Sequence, residues 1–173
     1  MDEILRSNDE ECLHAAINIA RKTYIKGNYP VGAVLAINGQ IVDQAGNEIS
    51  QQKSFVSHAE NSLIIRNGTQ LYEAWENKKE ISLYSTLEPC IQCLGASVTN
   101  HINKIFYIQK DPNGGACDLN HDNIGLWYKK TWPLIVYSPI STEPLDMMLK
   151  YFRSEIEKGN TKWPTKMIQL LEM

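Results

Sequence analysis

The sequence lacks the segments that direct a protein into or across a membrane. No apolar run in the 173 residues approaches the roughly 20 residues needed to cross a bilayer. The segment 1–5 has neither a basic start nor an apolar run, so it does not predict a secretory signal peptide. We therefore expect a cytoplasmic protein without a membrane partner.

An excess of positive charge is also missing. The chain has 17 lysines and arginines against 20 aspartates and glutamates, which gives a formal net charge of −3. Proteins that bind nucleic acids usually show a basic face or a basic overall composition. The charge balance therefore favours a small substrate over a long polyanion, although a narrow basic patch beside a pocket would escape this argument.

Cysteine is scarce, and half of it is found in one motif. Two of the four cysteines stand in Cys90-Ile91-Gln92-Cys93. Without an export signal, such a pair is more typical of metal binding than of disulfides. The remaining composition, 43% hydrophobic and 21% charged, is that of an ordinary globular protein. Length and composition predict a single domain over residues 1–173.

The segment from Ser57 to Cys93 contains the residue types of a zinc site. On a helix, Cys90 and Cys93 share one face, and Pro89 suits the first helical position. Both thiols would then lie in the first turn, where the helix dipole favours thiolate. His58 supplies a third ligand from a second segment. Three protein ligands leave one tetrahedral position for water, as in catalytic zinc sites.

Glu60 follows His58 by two positions, a spacing that turns the side chains roughly 200° apart on a helix. The two residues can serve one site only if zinc lies off the end of their helix. Glu60 would then face the water rather than the metal. Zinc lowers the pKa of such a water to about 7, and a nearby carboxylate can pass its proton to a leaving amine.

These residues resemble the zinc-dependent cytidine and deoxycytidylate deaminase superfamily, whose signature combines His-x-Glu with Pro-Cys-x-x-Cys. Within it, the chain is similar to bacterial tRNA adenosine deaminases and to guanine deaminases. The first likeness rests on Pro30-Val31-Gly32-Ala33-Val34, Asn47 and Thr86-Leu87-Glu88-Pro89-Cys90. The second rests on Cys93-Leu94-Gly95-Ala96 and Phe106-Tyr107. The resemblance covers a catalytic core of about residues 9–115 and leaves divergent helices at about 142–173.

The resemblance implies one Zn²⁺ per chain on His58, Cys90 and Cys93, with Glu60 as the catalytic proton carrier. It also implies that Asn47 and Asp111 contact the substrate, with Ala59 as a further candidate, and that the protein forms a homodimer. The residues alone permit other interpretations of two of these positions. Asn47 is also a typical turn residue, and Asp111-Pro112 a typical turn start. Cys117 and His121 could instead complete a structural zinc site, which would leave Glu60 without a task.

The predicted activity is hydrolytic deamination of the exocyclic amine of a nucleobase or nucleoside, with a purine of the guanine or adenosine type favoured. The alternative within the superfamily is a tRNA wobble adenosine-to-inosine deaminase. Two alternatives of other classes are a non-catalytic zinc module that binds nucleic acid and a thiol–disulfide protein that uses the Cys90–Cys93 pair. The non-catalytic module should show four protein ligands or a displaced glutamate, and bound metal content discriminates the deaminase from both alternatives.

Hydrophobic patterning predicts an α/β fold: a three-layer α/β/α sandwich around a mixed sheet of four or five strands. A strand at 81–85, the Cys90 helix and a strand at 104–109 form a parallel β–α–β unit. This unit places Cys90 at the carboxyl end of a strand, where open α/β sheets bind ligands. We further expect a loop from Ser50 to Ser57, an inward Ile65, and core packing by Tyr72 and Trp75.

Overall fold

A computed structural model describes residues 5–173. The start of the chain, on which the expectation of no signal peptide depends, lies largely outside that range. Five strands form one sheet in the order β2-β1-β3-β4-β5. Their bounds are Gly32–Ile37 (β1), Gln40–Gly46 (β2), Ile81–Leu87 (β3), Lys104–Gln109 (β4) and Leu134–Tyr137 (β5). Strand β1 is antiparallel to β2 and β3, whereas β3, β4 and β5 are parallel. The predicted mixed sheet is confirmed.

Helices cover both faces of this sheet, as the α/β/α prediction requires. Their bounds are Ser7–Ile25 (α1), Ile49–Gln52 (α2), Ala59–Arg66 (α3), Gly68–Glu76 (α4), Ile91–Thr99 (α5), Leu126–Thr131 (α6), Glu143–Glu157 (α7) and Lys162–Leu171 (α8). Alternate residues of β1 divide the core: Val34 and Ala36 pack in the cluster with α1, and Ala33 and Leu35 in the cluster with α3 and α5. Across residues 5–173, none of the helices has the length and apolarity to span a bilayer.

Helix α1 lies directly against β1 because Gly32 has no side chain. A Cβ atom at this position would lie 2.3 Å from the carbonyl oxygen of Ala16 and 2.5 Å from the nitrogen of Ala20. Both contacts are backbone atoms that cannot rotate away. The N-terminus of α1 is fixed to the sheet by buried Asp9, whose Oδ1 accepts a 2.6 Å hydrogen bond from the Tyr84 hydroxyl.

The structure corrects the predicted start of the Cys90 helix. Cys90 has extended backbone angles (φ −73°, ψ 171°) and caps α5, so Pro89 lies outside the helix. The Pro89 carbonyl instead accepts a 3.0 Å hydrogen bond from the Ala116 N–H. The first hydrogen bond of the helix runs from the Leu94 N–H to the Cys90 carbonyl at 2.8 Å. Only Cys93 therefore lies within the first turn.

Other local predictions were wrong. The expected loop from Ser50 to Ser57 contains most of the single-turn helix α2, and the N–H of its first residue, Ile49, donates to the Asn47 side chain. Ile65 is 70% exposed. With 3.6 residues per turn, it lies on the opposite face of α3 from most of the buried side chains of this helix. Tyr72 and Trp75 are also exposed rather than core residues.

Candidate active site

Three ligand-type atoms meet where α3 and α5 begin. His58 caps α3, Cys90 caps α5, and Cys93 lies in the first turn of α5. Nδ1 of His58 lies 3.7 Å from Sγ of Cys90 and 3.5 Å from Sγ of Cys93, and the two sulfurs are 3.6 Å apart. Within residues 5–173, this is the group of side chains with the spacing to hold a metal ion.

These separations fit one tetrahedral zinc ion. Zn–S bonds of about 2.3 Å and Zn–N bonds of about 2.0–2.1 Å place two sulfurs about 3.8 Å apart and a sulfur about 3.6 Å from a nitrogen. The observed distances of 3.5–3.7 Å agree with both values. One nitrogen and two sulfurs are also the donor set that zinc favours.

The electrostatics of the cluster favour a thiolate at Cys90. Hydrogen bonds from the Cys93 thiol and from His58 lower the pKa of Cys90 to about 3. The hydrogen bond with Cys90 raises the pKa of His58. A thiolate is the form in which cysteine binds metals.

Glu60 lies beside the three ligands without joining them. It is the second residue of α3 and only 4% exposed. Its Oε2 lies 3.5 Å from Sγ of Cys93, and its Oε1 accepts a 2.9 Å hydrogen bond from Ser85 on β3. Burial raises the pKa of this carboxyl. Because His58 precedes the helix, the two side chains reach the same place despite their i, i+2 spacing.

Cys117 and His121 do not join the cluster. Cys117 is buried, and its N–H donates to Glu88. The His121 ring stacks on Trp132 with centroids 4.4 Å apart. Within the described range neither belongs to the metal-binding group. The geometry therefore does not support a structural zinc site completed by Cys117 and His121, and Glu60 remains available as the acid–base group.

A cavity of about 360 Å³ opens onto the cluster, near the lower end of the roughly 300–1,000 Å³ typical of small-molecule sites. Its lining includes three carboxylic side chains, those of Glu60, Glu88 and Asp111. Within the part of the chain that the structure describes, the lining contains no lysine or arginine. The remaining lining residues are Tyr29, Val31, Asn47, Ile49, Ser50, Phe55, His58, Leu87, Cys90, Tyr151 and Trp163.

Two of the three predicted substrate residues line this cavity. Oδ1 of Asn47 accepts a 3.2 Å hydrogen bond from the Ile49 N–H, so the residue also forms a turn before α2. Oδ1 of Asp111 accepts hydrogen bonds from the N–H groups of Asn113 and Gly114 at 2.9 and 3.1 Å. Asn47 and Asp111 therefore each form a turn and line the cavity at the same time. Ala59 is fully buried and lies outside the lining set.

The sequence interpretation missed an aromatic wall of the cavity. Tyr29 follows α1, whereas Tyr151 and Trp163 come from α7 and α8. The Tyr29 ring centroid lies 5.5 Å from that of Tyr151 and 6.1 Å from that of Trp163. Phe55, which is 87% exposed, stands at the rim. The sequence predicted a helix that begins at Trp163-Pro164. Its hydrophobic pattern gave no indication that this helix contacts a site formed by residues more than 50 positions earlier.

Comparison with known proteins agrees with this geometry. The chain matches a family described as the cytidine and deoxycytidylate deaminase zinc-binding region over residues 6–109. The fold, the three-ligand centre and the adjacent carboxylate define the class as zinc-dependent hydrolytic deaminases. The chain belongs to the cytidine and deoxycytidylate deaminase family.

Named relatives include tRNA-specific adenosine deaminases. That of Bacillus subtilis is 37% identical over 110 residues, which span 64% of this chain and 67% of the relative. That of Aquifex aeolicus is 34% identical over 111 residues, spanning 62% of this chain and 70% of the relative.

Solved structures show the same fold. One, from a study of A-to-I editing by tRNA:A34 deaminases, has a TM-score of 0.61 at 24% identity, covering 80% of this chain and 99% of the other. A guanine deaminase from Nitrosomonas europaea has a TM-score of 0.59 at 11% identity, covering 87% of each chain. At these identities the likeness concerns the fold alone.

Proposed function

We propose that this protein deaminates a free purine base or a purine nucleoside. In this proposal His58, Cys90 and Cys93 hold zinc, and Glu60 transfers the proton. Asn47 and Asp111 orient the substrate. The single observation that carries the proposal is a cavity with an aromatic wall and no lysine or arginine in its described lining, which opens onto the three-ligand cluster.

The chemistry assigns a distinct task to each side chain. Zinc, when bound, supplies a Lewis acid that brings the pKa of water close to neutrality. Water adds to the ring carbon that bears the amine, and Glu60 takes a proton from the water and gives it to the departing nitrogen. Ammonia leaves, and the ring keeps the oxygen as a carbonyl. Ser85 holds the Glu60 carboxylate in place through its 2.9 Å hydrogen bond.

The electrostatics of the cavity support a neutral, flat substrate. Three carboxylic side chains line the cavity, and their charge would repel the phosphates of a nucleic acid. Aromatic rings suit a purine, because stacking of a base on an aromatic side chain contributes about 1–3 kcal/mol.

A second candidate is a tRNA wobble adenosine deaminase. The observation that favours it is the similarity to tRNA-specific adenosine deaminases at 34–37% identity over 110 or 111 residues. That matched stretch leaves out over a third of the chain, since it spans only 62–64% of it. The aromatic residues Tyr151 and Trp163 belong to the C-terminal helices α7 and α8.

A substrate panel separates the two candidates. Guanine, adenine, their nucleosides, cytosine and cytidine are compared with an unmodified tRNA pool at moderate salt, with ammonia release and tRNA inosine as the readouts. We expect ammonia from at least one free purine compound. Inosine in the tRNA, with no ammonia from any free compound, would replace the small-substrate proposal by the tRNA candidate.

We also propose that residues 1–173 act as one domain in a cytoplasmic homodimer. The single-domain proposal is supported by the packing of α7 and α8 against the core, where Met148, Phe152 and Met167 are buried. The dimer is supported by the exposed apolar side chains of Ile65 and Ile91 on α3 and α5. Analytical ultracentrifugation at micromolar concentration tests the oligomeric state.

A further inference from the structure

Glu88 is a buried carboxylic residue whose task the proposed chemistry leaves open. It directly follows β3, precedes the Pro89-Cys90 pair and is only 7% exposed. Its Oε1 accepts a 2.9 Å hydrogen bond from the N–H of Cys117. Its Oε2 accepts a 3.2 Å hydrogen bond from the N–H of Asp111. One carboxyl group therefore holds both ends of the segment 111–117.

The segment 111–117 wraps closely around this carboxyl group. A Cβ atom at Gly115 would lie 2.4 Å from both Cδ and Oε2 of Glu88, and 2.7 Å from the Asp111 carbonyl oxygen. Glycine is therefore required for the chain to pass at this distance. Gly115 also pairs with Cys90 in an isolated antiparallel bridge, next to the Ala116-to-Pro89 hydrogen bond. The segment is thus attached to the start of α5.

We propose that Glu88 is a positioning residue that holds the segment 111–117 against the start of α5 and so keeps Asp111 at the wall of the substrate cavity. Each carboxylate oxygen of Glu88 already accepts a backbone N–H, which separates its task from that of Glu60. Hydrogen bonds to a charged acceptor are stronger than neutral ones, so this attachment orders the segment before substrate arrives.

Glu88→Gln tests the proposal because the amide keeps the shape but offers only one acceptor oxygen. Its NH₂ group must face one of the two backbone N–H donors. Asp118→Asn is the matched control: it removes one negative charge just beyond the segment, from a side chain 76% exposed that pairs with Lys110. Both variants change the net charge equally, so a difference between them reports the buried contacts.

Amide hydrogen exchange of the zinc-loaded protein is the direct readout. In Glu88→Gln we expect the amide that faces the new NH₂ group, that of Asp111 or of Cys117, to exchange about tenfold faster, while the amides of α1 and β4 stay protected. Zinc content should remain at the wild-type level. Unchanged exchange at both amides would overturn the proposal, and so would faster exchange spread evenly over the sheet, which indicates global destabilisation.

The kinetic readout rests on the proposed function. With the purine that proves to be the substrate, we expect KM to rise about tenfold and kcat to change less, since Asp111 orients the substrate whereas Glu60 transfers the proton. Gly115→Ala should act in the same direction, because it displaces the segment while Glu88 is intact. If no purine is turned over but one of the two amides loses protection, the substrate proposal fails and the positioning role stands.

Discussion

Ser85 on β3 donates a 2.9 Å hydrogen bond to Glu60 on α3, and both residues are buried. This contact fixes the carboxylate from the sheet side, while the other oxygen lies 3.5 Å from Cys93. A strand residue thus orients a helix residue toward the metal-binding cluster. The first two predictions concern this pair.

Glu60→Gln should retain the fold and the zinc but lose turnover. Glutamine matches the shape of glutamate and cannot accept the proton, and general acid–base groups contribute about 10²–10⁴-fold to rate. Steady-state kinetics, circular dichroism and elemental analysis together check the outcome. Glu76→Gln on the exposed side of α4 serves as the control with the same chemical change. Wild-type turnover in Glu60→Gln would remove Glu60 from the mechanism.

Ser85→Ala should lower kcat by about tenfold, which corresponds to roughly 1.4 kcal/mol in the barrier. The variant leaves the carboxylate in place but removes the donor that orients it. Ser82→Ala is the matched control, since Ser82 lies on the same strand and is equally buried. Equal losses of activity in the two variants would indicate a general packing effect rather than orientation of Glu60.

Elemental analysis should find one zinc per chain in protein purified without added metal. Cys90→Ala combined with Cys93→Ala should lose it, because one imidazole alone does not retain the ion. Cys12→Ala is the control, as Cys12 is a buried free cysteine in the α1 cluster. Zinc retained at full stoichiometry in the double variant would rule out the proposed ligand set.

Trp163→Ala should reduce kcat/KM for a purine by roughly 5- to 150-fold, the equivalent of about 1–3 kcal/mol of stacking. Trp75→Ala removes a tryptophan of similar exposure, 46% against 43%, from outside the cavity. Its activity should stay at the wild-type level. Identical kinetics for Trp163→Ala and wild type would show that α8 does not contact the substrate.

Acid should destabilise the protein partly through Asp9. Burial acts to raise the pKa of Asp9, but hydrogen bonds from Arg6 and Tyr84 outweigh it and the pKa lies below its ordinary value. A carboxyl with a lowered folded-state pKa stabilises the fold above its unfolded pKa of about 3.9 and loses that contribution as the pH falls. Tyr84→Phe should lower the free energy of unfolding by about 1.5–3 kcal/mol at pH 7.

Urea unfolding between pH 7 and pH 3 measures this effect. The difference between wild type and Tyr84→Phe should shrink as Asp9 becomes protonated, since the hydroxyl then faces a neutral acceptor. A difference that stays constant as the pH falls through the folded-state pKa of Asp9 would show that the Tyr84 hydroxyl contributes independently of the Asp9 charge.

The sequence by itself determined the parts of this protein that depend on local chemistry. His58, Glu60, Cys90 and Cys93 carry the donor and acid–base groups in their own side chains, and their spacing restricts where a zinc ion can lie. The continuous apolar run of β1 likewise predicted a strand covered on both faces, and the alternation in β3 predicted a further strand, because both patterns are local.

Tertiary structure alone decided what surrounds that centre. Trp163 reaches the cavity only because α8 packs next to α7 and Tyr29, a contact between residues more than 130 positions apart. Glu88 meets Asp111 and Cys117 only because the chain returns after β4 to the end of β3. Such contacts arise from long-range packing rather than from periodicity. The size, charge and aromatic wall of the cavity are therefore properties of the fold.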